Sequence, residues 1–159
     1  MDLKKKQKVL RLIPNGMFIF TSRVGEKYGA ATITWVTQVA FKPPLIAAAI
    51  RPDSTLFECL KESKEVVVHV LSVDQQDLAR RFFSSTEMNN GTLNGEPTIH
   101  GTTSAPILKN VPSYAECRVT QIVDDGGDHQ LVILEVVDVE HLHDVKPLLV
   151  ANTPWTYGG

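Results

Sequence analysis

The sequence predicts a mostly-β chain closed into a barrel or sandwich and carrying a few short helices. Three observations lead there. Runs rich in β-branched and apolar residues recur at GMFIFTS (16–22), LIAAAI (45–50) and VVVHVL (66–71). Residues 30–45, AATITWVTQVAFKPPL, alternate with a period of two, as a strand with one face in the core does. A DDGGD turn separates YAECRVTQIVDD from HQLVILEVVDVEHL, two further strands arranged as a hairpin. About six strands in all make closure the economical way to hide sheet edges. A chain of 159 residues is long enough for one domain, spanning 1–159, with a core of its own.

Taken in order, residues 3–12 form a short basic helix stopped by Pro14, and GMFIFTS is the first strand. VGEK turns the chain into the alternating strand, which Pro43 and Pro44 punctuate before the buried run LIAAAI. Thr55 followed by Glu58 reads as a capping box, so a helix begins there with Phe57 and Leu60 facing inward. A second helix runs from Asp74 through DLARRFF, where Leu78 and Phe82 share a face. Residues 84–112, rich in Ser, Thr, Asn and Gly, are too long for a bare connection. They are a functional loop or hold short strands of their own.

Composition excludes several classes of partner. Hydrophobic content of 43%, charged content of 21% and a net charge of −2 give no electrostatic footprint for nucleic acid or an anionic membrane. The two cysteines, Cys59 and Cys117, are far apart, as in a reducing cytosol, and read as small buried hydrophobes. Arg11 interrupts the apolar stretch after KKKQK before a signal core forms, and the run around Pro43–Ile50 is too short to span a membrane. The expectation is a cytoplasmic protein. GxGxxG, GxxxxGK[ST] and GxSxG are all absent. His141 and His143 lack the partners of a zinc set, so no metal site is expected.

Three stretches carry candidate chemistry. The even positions Thr32, Thr34, Val36 and Gln38 form a face with neither Lys nor Glu. Either this is an edge strand with a mildly polar exterior, or it faces a flat, uncharged heteroaromatic ring that takes many weak hydrogen bonds. In RPDST, Arg51 ends a strand while Ser54 and Thr55 open a helix. A helix N-terminus with a guanidinium and two hydroxyls suits a phosphate, although a plain cap accounts for Thr55 equally well. His129 follows a Gly turn in GGDHQ, a position occupied by solvent-facing turn residues as well as catalytic ones.

The order of these elements resembles the flavin reductase-like, FMN-binding split-barrel family. From about Pro14 to His141, the matching segments are TxTWVTQVAFKPPL, RPDSTLFECLKES, EVVVHVL, DLARRFF, SAPIL with YAEC, and GGDH. The resemblance implies a six-stranded Greek-key split barrel that forms a homodimer and binds FMN or FAD at the interface. It implies that Ala31, Thr32, Thr34, Trp35, Val36 and Gln38 line the isoalloxazine, and that Arg51, Ser54 and Thr55 take the phosphate. His129 would handle the nicotinamide of NADH or NADPH, while Phe83 and Tyr157 are further pocket residues. The activity implied is an NAD(P)H-dependent flavin reductase that passes electrons to free flavin, ferric iron, a redox protein or a monooxygenase partner. Two alternatives stay open: an electron-transfer flavoprotein that keeps its FMN, and a non-catalytic flavin-binding barrel. Many relatives carry Asn in the strand where this chain has His69. The segment from Ser84 to Gly101 follows no motif of the family.

Overall fold

A computed structural model describes residues 1–159. Three short α-helices, α1 (Leu3–Leu10), α2 (Thr55–Ser63) and α3 (Gln76–Arg81), accompany a main sheet of long strands. These are β1 (Phe18–Val24), β2 (Lys27–Ile33), β3 (Val36–Ala40), β4 (Leu45–Ile50), β5 (Glu65–Val70), β10 (Ser113–Val123) and β11 (Gln130–His141). Four strands of two to four residues, β6 (Met88–Asn89), β7 (Thr92–Leu93), β8 (Glu96–Ile99) and β9 (Ile107–Leu108), form a small second sheet. Residues 84–112 therefore hold short strands, the second of the two readings open for that segment.

The main sheet runs in the order β2-β1-β5-β10-β11-β4-β3, with every neighbouring pair antiparallel. Its two edge strands, β2 and β3, are consecutive in the chain and separated only by Thr34 and Trp35. One bent run thus pairs with β1 at one end of the sheet and with β4 at the other. Counted once, that run makes the six-stranded barrel expected. The join is incomplete because the outer edge of β2 is already engaged elsewhere. Ala30 N–H donates to Thr86 Oγ1 (2.9 Å), and Thr32 N–H donates to the Phe82 carbonyl (3.2 Å). The Thr32 hydroxyl donates to the Ala79 carbonyl at 2.7 Å. Backbone groups need partners wherever they are buried. With α3 and Thr86 supplying them, β2 diverges from β4, and the barrel is split between them.

Alternation along the strands sorts the core into two layers. Phe20, Ile33, Ala48, Ile50, Val66, Val68, Cys117, Val132 and Leu134 fill the barrel, and α2 adds Leu56, Phe57 and Leu60 to the same cluster. Met17 and Ile19 face outward and pack under Leu78, Ala79, Phe82, Leu93 and Leu108. This explains the unbroken apolar run in β1, which is buried on both faces. Gly29 brings β2 against the start of α2, where an added Cβ would lie 2.6 Å from Leu56 Cα and the Thr55 carbonyl. Both cysteines are free and buried.

Two helix starts differ from the sequence reading. The cap of α2 is Ser54, whose Oγ accepts from Phe57 N–H at 3.1 Å; Thr55 is the first helical residue, and no Thr55–Glu58 capping box forms. Glu58 pairs with Lys27 across to β2 instead. Helix α3 begins at Gln76, two residues after Asp74, because Ser72–Gln75 close a turn through Gln75 N–H to the Ser72 carbonyl (2.8 Å). No helix is long and apolar enough to cross a membrane.

His69, unassigned from sequence, ties the layers together. It is fully buried; Leu108 N–H donates to its Nε2 (2.9 Å), so the ring proton sits on Nδ1 and donates to the Ile19 carbonyl (2.8 Å). Burial pushes this imidazole down to about 4. An unfolded histidine titrates near 6.5, so between about pH 6.5 and 4 the unfolded chain binds more protons and stability falls as the pH drops. The contribution is fully present above about pH 6.5 and lost progressively toward pH 4. Urea unfolding should give a free energy about 2 kcal/mol lower at pH 5 than at pH 7 from this group. In His69→Gln that part of the slope should vanish, and equal slopes in the two proteins would refute the assignment.

Candidate flavin site at the barrel split

The split forms a cavity of about 110 Å³ lined by Ala31, Thr32, Ile33 and Thr34 on one side and Ala49 and Ile50 on the other. Arg51, Ser54, His129 and Tyr157 close it. Thr34 lies between β2 and β3 and follows neither partner strand. Its hydroxyl is buried and has no hydrogen-bond partner, alone among the buried side-chain polar atoms. Leaving such a group unmet costs about 1–3 kcal/mol, and a polar ligand edge entering the split would meet it.

Trp35 turns the other way, as its parity requires. Its carbonyl accepts from Ala49 N–H at 3.0 Å, which starts the β3–β4 ladder. The indole joins His129 (centroids 4.7 Å apart) and Tyr157 (5.2 Å) in an aromatic wall. His129 Nδ1 faces Asp128 Oδ1 at 2.8 Å, and Nε2 faces the Tyr157 hydroxyl at 2.8 Å. A carboxylate only accepts, so the proton is held at Nδ1 and the neutral ring's Nε2 accepts from Tyr157 O–H. The hydrogen bond from His129 keeps the Asp128 carboxyl below its usual range, and burial raises the Tyr157 phenol. A second cavity of about 640 Å³ adjoins the slit and shares Arg51, His129 and Tyr157 with it.

At the mouth, Arg51 is held by Asp53 through Nε (3.0 Å) and Nη2 (2.6 Å). Ser54 Oγ is engaged twice, accepting from Phe57 N–H and donating to the Arg51 carbonyl at 2.8 Å. An anion here would therefore meet the guanidinium and the first N–H groups of α2. The Thr55 hydroxyl stands exposed on the helix's first turn.

Ala31, Thr32, Thr34, Trp35, Arg51, Ser54, His129 and Tyr157 are thus brought together, with Thr55 beside Ser54. Three candidates lie elsewhere. Val36 and Gln38 line a separate apolar groove of about 510 Å³ at the open end of the barrel, because the bend at Trp35 carries β3 to the other side. Phe83 packs edge-on against Trp155 at 4.9 Å, since α3 ends against the outer layer. Sequence reasoning missed Asp128, Ala49, and the α1 and tail residues Lys6, Leu10, Gly158 and Gly159 that line the larger cavity. The Asp-His pair in GGDH was the one local signal for Asp128.

Comparison with known proteins bears on the family and the fold. The family model described as "Flavin reductase like domain" matches residues 10–156. The chain belongs to the flavin reductase-like domain family. An NADH:FMN oxidoreductase of Rhodococcus qingshengii is 32% identical over 131 residues, covering 78% of this chain and 63% of that protein. A diflavin flavoprotein A 1 of Synechocystis sp. is 26% identical over 133 residues, covering 83% of this chain and 23% of that protein. The chain therefore spans less than two thirds of the length of these curated relatives. The crystal structure of BorF, the flavin reductase component of a bacterial two-component tryptophan halogenase, superposes with a TM-score of 0.74 at 24% identity, covering 87% of each chain. That likeness shows the split-barrel fold.

The donor set fits a flavin: an unmet hydroxyl where an uncharged ring would lie, and a cation with a helix start where its phosphate would lie. Thr34→Val removes the unpartnered hydroxyl at nearly constant shape. Thermal melts without flavin should show stability unchanged or higher by about 1 kcal/mol, while FMN affinity falls about five- to tenfold. Unchanged FMN affinity would remove Thr34 from the site.

Proposed function

We propose that this chain, acting as one flavin reductase-like domain, is an NAD(P)H-dependent flavin reductase that binds FMN across the barrel split. The observation that carries this reading is the buried, unpartnered Thr34 hydroxyl in a slit flanked by the Trp35–His129–Tyr157 wall and by Arg51. Bound flavin would supply the hydride acceptor that the protein's own side chains lack.

Each residue then has a defined task. The Thr34 hydroxyl orients the ring edge, while Arg51 and the start of α2 hold the phosphate. Trp35 and Tyr157 offer aromatic surface against which a nicotinamide packs while water is kept out. His129 holds its proton at Nδ1 against Asp128, which fixes the ring's orientation and leaves Nε2 to Tyr157. Hydride transfer needs no general acid or base, so the site requires no two carboxylates facing one another.

The acceptor we favour is diffusible flavin, delivered to a partner oxygenase or to ferric iron, because the split and the larger cavity both open to the surface. The groove at the open barrel end, lined by Phe18, Val36, Ile46, Val70, Ala115 and Val136, supports a homodimer with this face covered.

The test is anaerobic addition of NADH or NADPH to the FMN-loaded protein. Loss of the yellow absorbance is expected, as is aerobic turnover that depends on added free FMN. Retained colour with both nicotinamides would overturn the reductase reading. Bleaching without dependence on free FMN would replace it with an electron-transfer flavoprotein. In Arg51→Ala/Thr55→Ala, FMN affinity should drop about tenfold or more, and unchanged affinity would displace the phosphate assignment.

A further inference from the structure

Helix α1 is amphipathic yet buries no residue. Leu10 (43% exposed) and Ile13 just after the helix (57%) point over the 640 Å³ cavity and not into either core layer. A helix of eight residues is marginal in water and is stabilised by packing its apolar face. Here that face spans a void of the size of a small-molecule site. The helix is nevertheless held in place. Arg11 Nε donates to the Gly158 carbonyl at 3.1 Å. Gly158 and Gly159 both take positive φ, and added Cβ atoms would come within 3.3 Å of Trp35 and 3.1 Å of Gln7. The tail is thus pinned between the aromatic wall and α1, and the cavity keeps its shape without a filling.

The charges lining this cavity are specific. Lys6 is the only residue of α1 that is partly covered, lines the cavity, and has no carboxylate partner. Across from it stand Arg51, held by Asp53, and Asp128, held by His129. Lys6 is therefore the free cation facing the space. The cavity runs continuously from Lys6, past Leu10 and Ile13, to the wall of Trp35, His129 and Tyr157. A ligand that fills it has a planar ring at the wall, an anion at Lys6 and an apolar face under α1.

We propose that α1 holds the adenosine diphosphate half of the nicotinamide dinucleotide, with Lys6 on its phosphates and Leu10 and Ile13 over its adenine. This rests on the reductase reading for the identity of the ligand. It gives the chain a dinucleotide clamp in place of the Gly-rich phosphate loop that its sequence lacks.

The test uses the full FMN-loaded chain with Lys6→Glu and Lys6→Met, and Lys4→Glu on the same helix as control. ADP-ribose, which lacks the nicotinamide, is titrated calorimetrically. Its affinity should fall about tenfold in both Lys6 variants, while Lys4→Glu and all FMN affinities stay level. In turnover, KM for NADH should rise by a similar factor with kcat within about twofold. ADP-ribose should bind at least tenfold more tightly than inorganic pyrophosphate. Equal affinities would overturn the adenine contact. ADP-ribose affinity and KM unchanged in Lys6→Glu would overturn the clamp, as would wild-type protein that binds no ADP-ribose. These outcomes are separate from the reductase reading, which stands or falls on bleaching of the wild-type flavin by NADH or NADPH.

Discussion

The structure depends on the hydrogen bonds along the outer edge of β2. Ala30 and Thr32 are joined there to Thr86 and Phe82, so β2 does not pair with β4. The chain reaches β4 only after bending through Thr34 and Trp35. A barrel closed regularly at this seam would have matched its backbone groups and left no slit. The bend leaves one hydroxyl unmet and turns one indole outward, and these two features mark the candidate site.

The same constraint separates the two layers of the core. Because α3 and Thr86 supply partners to β2, α3 and the small sheet that follows cover the outer face of β1 and β2, and Met17 and Ile19 pack beneath them. His69 fastens this layer to the barrel by bridging Ile19 in β1 and Leu108 in β9. A neutral histidine suits this position because it donates at one nitrogen and accepts at the other. Stability of the outer layer is thereby coupled to the geometry of the split: loosening α3 would free the edge of β2 to approach β4.

Much of this was legible in the sequence wherever the information is local. Alternation placed β2 and β3, the Gly turn placed the β10–β11 hairpin, and Leu78 and Phe82 marked the buried side of α3. The start of α2 was misread by one residue, because Ser54 and Thr55 are equally good caps by type and only backbone geometry chooses between them. The face of Thr32, Thr34, Val36 and Gln38 looked continuous, yet the bend divides it between two cavities. Nothing local indicated that Lys6, Asp128 and Gly158 would meet, since they come from opposite ends of the chain.

By itself, then, the sequence determined the strands, their alternation and the residue types capable of meeting a ring and a phosphate. Those follow from periodicity and from side-chain chemistry, which act over a few residues. Tertiary structure alone decided where the barrel splits, that Thr34 is left without a partner, and that α1 and the tail close over Trp35. These outcomes arise from competition among distant groups for one set of backbone hydrogen bonds, and such competition leaves no mark in local pattern.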